Sequence, residues 1–248
     1  MEHLEIQNVS FSYRDKQILH DLNLFIKNGE FVTILGPSGS GKSTIFQLIG
    51  GLQTPHAGSI ILEGNDITGN RGHISYMPQS PSLLPWRTII QNVVLGQELQ
   101  AKKDYATAME MLQKAGLLEY SNAFPHELSG GMKQRVAFLR ALLSPQPIIC
   151  LDEPFSALDE LTRQEMQLWL LSIWEQYKKT IIFVTHNIEE ALFLSDRILV
   201  LSNKPARIKQ EVMVPFSRPR NEEMMFSGEF LQYKKMIHDS LKEKVDQI

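Results

Sequence analysis

Apolar and polar residues alternate in short runs through the first third of the chain. "LEIQNVSFSY", "ILHDLNLFI", "FVTILG", "SIILEG" and "HISYMP" predict five strands. From about residue 88 to 143 the period lengthens to that of a helix. "DYATAMEMLQKAGLL" sets Tyr105, Ala108, Met109, Leu112 and Ala115 on one face, with Gly116 placed to interrupt or end the helix. Val136, Leu139, Leu142 and Leu143 give the next helix its apolar face. Strand and helix patterns then alternate. "PIICLD", "TIIFVTH" and "RILVLS" read as buried strands, "DELTRQEMQLWLLSIWEQY" and "IEEALFLS" as helices. Apolar strands separated by helices predict an α/β fold with a parallel sheet covered on both faces. The prolines of "VPFSRPR" put a boundary near residues 215–219. Beyond it, six basic residues (Arg218, Arg220, Lys234, Lys235, Lys242, Lys244) balance six acidic ones (Glu222, Glu223, Glu229, Asp239, Glu243, Asp246), which predicts a solvated helical extension.

Composition narrows the picture. A chain of 248 residues, 43% hydrophobic and 21% charged, can bury a large core as a soluble globular protein. A formal net charge of −3 gives no global attraction to nucleic acid or to an anionic membrane. Cys150 is the only cysteine, so neither an internal disulfide nor a multi-cysteine metal site is available, and its place in a strand predicts an inert core residue. The opening "MEHLEIQ" has no apolar core and is not expected to be a signal peptide. No apolar run approaches about 18 residues, so a membrane role is expected to come through a partner.

Candidate chemistry sits at the loop ends. "GPSGSGKST", residues Gly36, Pro37, Ser38, Gly39, Ser40, Gly41, Lys42, Ser43 and Thr44, fits G-x-x-x-x-G-K-[ST] after an apolar strand and before a helix. Glycines let backbone N–H groups turn inward around phosphate oxygens, and the helix adds its positive end. Lys42 is expected to reach the β- and γ-phosphates and the Ser43 hydroxyl to ligate Mg²⁺. "IICLDEP" delivers Asp152 and Glu153 at a strand's carboxyl end, 110 residues after Lys42. One carboxylate can hold Mg²⁺ and its neighbour can polarise a water. In "LSGGMKQR" Ser129 can cap a helix, and Gly130 and Gly131 lower helix propensity while baring amides to an anion. Lys133, Arg135 and Arg140 read as a charged helix face.

In this combination the chain, from about residue 4 to 208, resembles the ATP-binding-cassette ATPases, the nucleotide-binding subunits of ABC transporters. "LSGGMKQR" is similar to the family's signature motif, with Met132 where the family has Gln. The resemblance implies a P-loop NTPase (RecA-like) core, with an N-terminal antiparallel β-subdomain and an inserted α-helical subdomain. It divides the chain into one ATPase domain over 1–217 (core about 1–84 and 145–217, helical segment about 85–144) and a C-terminal extension, 218–248. It further implies a head-to-tail pair of chains, in which Ser129, Gly130 and Gly131 of one copy meet the ATP held by the other. Tyr13 matches the aromatic residue that stacks on adenine, Gln79 the Q-loop glutamine that touches Mg²⁺ or the attacking water, and Asp159 the D-loop that crosses the interface. Asp159 also reads as an ordinary helix cap. His186 matches the switch histidine that contacts the γ-phosphate. ATP and Mg²⁺ are the implied ligands, with Glu153 orienting water.

The same resemblance implies separate permease subunits, with a permease helix docking near residues 79–100. It also implies an extracytoplasmic solute-binding protein as an indirect partner, and a peripheral position on the cytoplasmic face of the membrane. "SLLPWRTIIQNV" and "VLSNKPARI" are similar to the bacterial importer branch for nitrate, sulfonates, taurine and thiamine-precursor pyrimidines, although Gln91, Asn187 and Ala206 stand where that branch often has Glu, Asp and Gly. A small anionic or heterocyclic solute is the implied cargo. A soluble cassette ATPase in an assembly role is the alternative. No nucleic-acid partner is expected.

Overall fold

The computed structural model describes residues 2–98 and 103–242. Glu243, Lys244 and Asp246 of the C-terminal extension, and the last two positions of the expected docking stretch 79–100, lie outside the described residues. The chain divides into two compact units, one of residues 1–74 and 180–248 and the other of 75–179.

In the first unit, long alternating runs make β1 (Glu2–Tyr13) and β2 (Lys16–Lys27), paired antiparallel with Ile6 opposite Leu24 and Phe11 opposite Leu19. Leu4 and Ile6 point into the core at period-two spacing, and a register shift at Asn8, whose φ is 52°, brings Val9 and Phe11 to the same face. β4 (Ala57–Leu62) joins β1, and the two-residue β5 (Asn65–Asp66) joins β4, giving the order β2-β1-β4-β5. A second set of strands is mostly apolar and buried at every position. β3 (Phe31–Leu35) lies parallel between β8 (Thr180–Thr185) and β9 (Arg197–Leu201), and all three are wholly buried. β10 (Ile208–Met213) runs antiparallel to β9 at the edge; its short polar sequence carried no clear strand pattern. Among the described residues the α-helices of this unit are α1 (Lys42–Ile49), α7 (Ile188–Leu194) and α8 (Gly228–Lys242).

The extension is packed as well as solvated. Phe230 and Ile237, two turns apart on α8, are buried in one cluster with Ala191, Leu192, Ile198 and Val200. Balanced charge concealed this apolar stripe.

In the second unit, β6 (Ile74–Met77) neighbours β7 (Ile148–Asp152), whose five residues are all buried. The helices are α2 (Ile89–Val93), α3 (Leu95–Glu98), α4 (Tyr105–Lys114), α5 (Gly130–Leu142) and α6 (Glu160–Tyr177). α4 stops as expected: Leu117 N bonds Leu112 O at 2.8 Å and Gly116 N bonds Gln113 O at 3.0 Å, which satisfies the last carbonyls. Its buried stripe is Ala108, Met111, Leu112 and Ala115, while Tyr105 and Met109 are exposed. The sequence reading therefore placed the face slightly off, because Met111 completes the i, i+3, i+4, i+7 series from Ala108 and Tyr105 does not.

Candidate functional site

The phosphate loop belongs to the first unit. β3 ends at Leu35 and the chain turns through residues 36–41 into α1. Gly41 stands at the helix N-cap with φ 111°, and a Cβ there would lie 2.9 Å from Ile18 Cγ2, so only glycine fits. Lys42 is buried and folds back along the loop; its Nζ donates to Gly36 O and Pro37 O, each at 2.9 Å. Ile45 N bonds Gly41 O at 3.1 Å and begins the helical ladder, so the amides of Lys42, Ser43 and Thr44 precede it and face out of the helix start. Ser40 Oγ is buried without a hydrogen-bond partner. A ring of amides, an ammonium and an orphaned hydroxyl is a donor set that fits phosphate oxygens. Ser38, Gly39 and Ser43 are exposed on the same turn, and Thr44 is buried behind it.

Tyr13 closes β1 with its ring half exposed. Its hydroxyl donates to Gln47 Oε1 at 2.6 Å and Phe11 meets it edge-on at 4.8 Å, so the ring is held in one orientation. His186 follows β8 directly and is exposed. Both its neighbours are tied to the first turn of α7. Thr185 Oγ1 donates to Glu190 Oε2 at 2.6 Å and accepts from Asn187 N at 3.0 Å. Asn187 Oδ1 accepts from the amides of Glu189 and Glu190 at 2.8 and 3.3 Å, a cap as effective as the aspartate often found in the branch it resembles.

The acidic pair belongs to the second unit. Asp152 is buried at the end of β7, and Tyr76 donates its phenol to Asp152 Oδ2 at 3.0 Å. Burial first, and then the Asp152 charge, push the Tyr76 phenol far up, so it stays protonated and keeps donating. Burial likewise raises the Cys150 thiol, which makes it inert. Glu153 adopts a left-handed backbone with φ 44°, a conformation that costs about 1–3 kcal/mol for a non-glycine residue and gathers at functional positions. Ser156 holds it there: its N and Oγ donate to Glu153 O at 3.2 and 2.9 Å. Gln79 Nε2 in turn donates to Ser156 Oγ at 3.0 Å, so Gln79 and Glu153 meet through one serine.

α5 opens as read from the sequence. Ser129 caps it by accepting from Met132 N at 3.3 Å. Ser129 and Gly130 are exposed, while Gly131 lies so close to α6 that a Cβ would fall 2.8 Å from Thr162 Cγ2. Asp159 caps α6; the side chain of Thr162, and then its amide, hold the carboxyl below its ordinary value. Two residues of α5 reach the loop that carries Gln79. Gln134 Nε2 donates to Gln79 O at 3.4 Å, and Arg140 donates to Ser82 O at 2.9 Å and Pro81 O at 2.8 Å. Arg140 is therefore no solvated face, as its charge had suggested; it is spent on the loop's carbonyls. Sequence reasoning gave no site role to Tyr76, Ser156, Gln134 or Arg140; their contacts with Asp152, Glu153 and the loop of Gln79 appear only in the fold. Among the described residues no cluster of three or more His, Cys, Asp or Glu forms a metal cage, and no helix is long and apolar enough to cross a membrane.

The sequence profile described as "ABC transporter" matches residues 19–156, a span that includes the phosphate loop, Gln79, the LSGG helix and Glu153. The chain belongs to the ABC transporter family. A formylaminopyrimidine import ATP-binding protein of Halalkalibacterium halodurans is 44% identical over 218 residues, covering 86% of this chain and 85% of that protein. A nitrate import ATP-binding protein of Synechocystis is 42% identical over 228 residues, covering 89% and 85%. Among solved structures, a dimeric ATP-binding cassette in a post-hydrolysis state, bound to ADP and Pi, is 32% identical with a TM-score of 0.73, covering 86% of this chain and 100% of that one. The fold is thus that of the P-loop cassette ATPases, and this ABC protein binds ATP and is an ATPase.

Proposed function

We propose that this ABC ATPase is the energising subunit of an importer that moves a small anionic or heterocyclic solute through separate permease subunits. The import roles named for its relatives support this reading. The observation that carries the hydrolytic role is the strained Glu153, held left-handed at φ 44° by Ser156 and, through it, by Gln79.

Each residue's task follows from its chemistry. Tyr13 stacks on adenine. Gly36, Pro37, Ser38, Gly39, Ser40, Gly41 and Thr44 form the turn whose amides and hydroxyls bind phosphate oxygens, and Lys42 neutralises charge on the β- and γ-phosphates. Ser43, Asp152 and Gln79 offer a hydroxyl, a carboxylate and an amide oxygen, the hard oxygen donors that suit Mg²⁺; when bound, the ion supplies charge neutralisation on the phosphates. Glu153 accepts a hydrogen bond from the attacking water and aligns it, and His186 donates to the γ-phosphate. A second copy, packed head to tail, brings its Ser129, Gly130, Gly131 and Asp159 to the nucleotide. The protein works as a peripheral subunit at the cytoplasmic face of the membrane. A solute-binding protein outside delivers the cargo to the permease and never meets this chain.

Replacing Glu153 by Gln is expected to cut ATP turnover by about 10²–10⁴-fold while ATP affinity stays within about threefold. A phosphate-release assay beside a nucleotide-binding titration measures both. Unchanged turnover removes Glu153 from the catalytic role.

A further inference from the structure

α7 has seven residues, too few to hold a helix by itself in water. It is held by the segment that follows residue 217. The last carbonyls of a helix have no partner within it, and here two arginines take them. Arg220, only 7% exposed, donates through Nη1 to Phe193 O at 2.9 Å and Leu192 O at 3.3 Å. Arg218 donates through Nη2 to Leu194 O at 2.7 Å. Both guanidinium groups sit at the negative end of the helix dipole, while Glu189 and Glu190 occupy the positive end. The arginines are fixed in their turn: Arg220 Nε and Nη2 donate to Phe216 O, and Arg218 pairs with Asp196 Oδ1 at 2.8 Å. α8 closes on the rest of α7. Phe230 and Ile237 share a buried cluster with Ala191 and Leu192, and Lys234 pairs with Glu189 at 2.5 Å. The opposite end of α7 leads to His186, bracketed by Thr185, which bonds Glu190, and by Asn187, which caps the helix.

We infer that residues 218–242 form a clamp that sets the position of α7, and that Arg220 is a positioning residue for His186. The catalytic half of this inference rests on the γ-phosphate role proposed above for His186. A displacement of α7 moves both residues that flank His186, so a loosened clamp lowers the rate of hydrolysis without touching the phosphate loop. The C-terminal segment is then a handle on turnover: whatever binds it acts on the histidine through one short helix.

The test uses the full-length chain carrying Arg220→Met, which keeps the aliphatic stem and removes the donors. Hydrogen exchange at the amides of residues 187–190 is expected to speed up about tenfold. The catalytic constant is expected to fall about three- to tenfold with the ATP dissociation constant within about twofold. In a His186→Ala background the same substitution is expected to change the catalytic constant by less than about twofold, since the two act through one contact. Unchanged exchange overturns the clamp. Faster exchange with an equal rate loss in the His186→Ala background overturns the positioning role. If His186→Ala alone leaves turnover untouched while Arg220→Met speeds exchange, the clamp stands and the γ-phosphate role of His186 falls. Should the Met variant fail to fold, Arg220→Lys carries the same readouts, because one ammonium cannot serve the carbonyls of Leu192, Phe193 and Phe216 together.

Discussion

Replacing Arg140 by Met is expected to loosen the loop of residues 79–83 while leaving Lys42 and Glu153 chemically intact. The guanidinium makes two bonds to the loop, Nη1 to Ser82 O at 2.9 Å and Nη2 to Pro81 O at 2.8 Å. A hydrogen bond from a charged donor is worth about 1.5–3 kcal/mol. Ser82 is exposed, so water recovers part of that when the donor goes, and the Met stem retains packing. A net local loss of about 1.5 kcal/mol follows, close to a tenfold rise in the opening equilibrium. Ser82 also has a left-handed backbone, φ 47°, which its release relaxes. Further along, the loop has an independent hold. Buried Asn92 accepts from Leu84 N at 2.8 Å and donates to the carbonyls of Leu84, Arg87 and Thr88, each at 3.1 Å. Opening should therefore stop before Leu84. Hydrogen exchange resolved by residue is the assay: amides of 79–83 faster by about tenfold, those of 84–88 unchanged. Faster exchange across 84–88 and β7 as well, or none at all, refutes the reasoning.

Adjacent glycines at the start of α5 should behave in opposite ways. Gly131→Ala drives a Cβ to 2.8 Å from Thr162 Cγ2 and is expected to cost about 1–3 kcal/mol, lowering the melting temperature by roughly 2–4 °C per kcal/mol. Gly130→Ala meets nothing within 4 Å and is expected to be neutral or stabilising by up to about 1 kcal/mol, so equal melting shifts in the two variants contradict the packing. His3 supplies a pH signature. Burial holds its imidazole below the ordinary value of 6.5, against the opposing pull of Glu63 at 3.3 Å. The unfolded chain then binds a proton that the folded chain refuses, so stability is present above pH 6.5 and falls as the pH drops below it. Denaturant unfolding should show that slope flattened in His3→Gln; an unchanged slope below pH 6.5 removes His3 as its source.

The chemistry at the loop ends was legible because it is written in local spacing. Lys42 follows Gly41 at a strand-to-helix turn, and Asp152 ends an apolar strand, so local pattern places both at element ends. Long strands such as β1 and β2 were legible for the same reason. What stayed hidden depends on partners distant in sequence. Tyr76 looks like an outward strand position until Asp152, 76 residues on, takes its hydroxyl. Arg140 looks like any charged helix residue until the carbonyls of Pro81 and Ser82 come beneath it. Glu153 has no glycine to announce its left-handed backbone; the bonds from Ser156 impose it. In the C-terminal extension the charges dominate the pattern, and Phe230 and Ile237 gain meaning only when α7 provides a surface to cover. Sequence spacing reports what a segment can do alone, and tertiary contacts decide how its polar groups are spent.

The central claim is a nucleotide site completed by a second copy of the chain. The measurement that addresses it most directly is the mass in solution of full-length Glu153→Gln, by light scattering, with and without ATP. One chain without nucleotide and two chains with ATP is the predicted result, with the pairing lost when Ser129 is also replaced by Arg. A variant that binds ATP stoichiometrically and still sediments and scatters as a single chain would contradict the account.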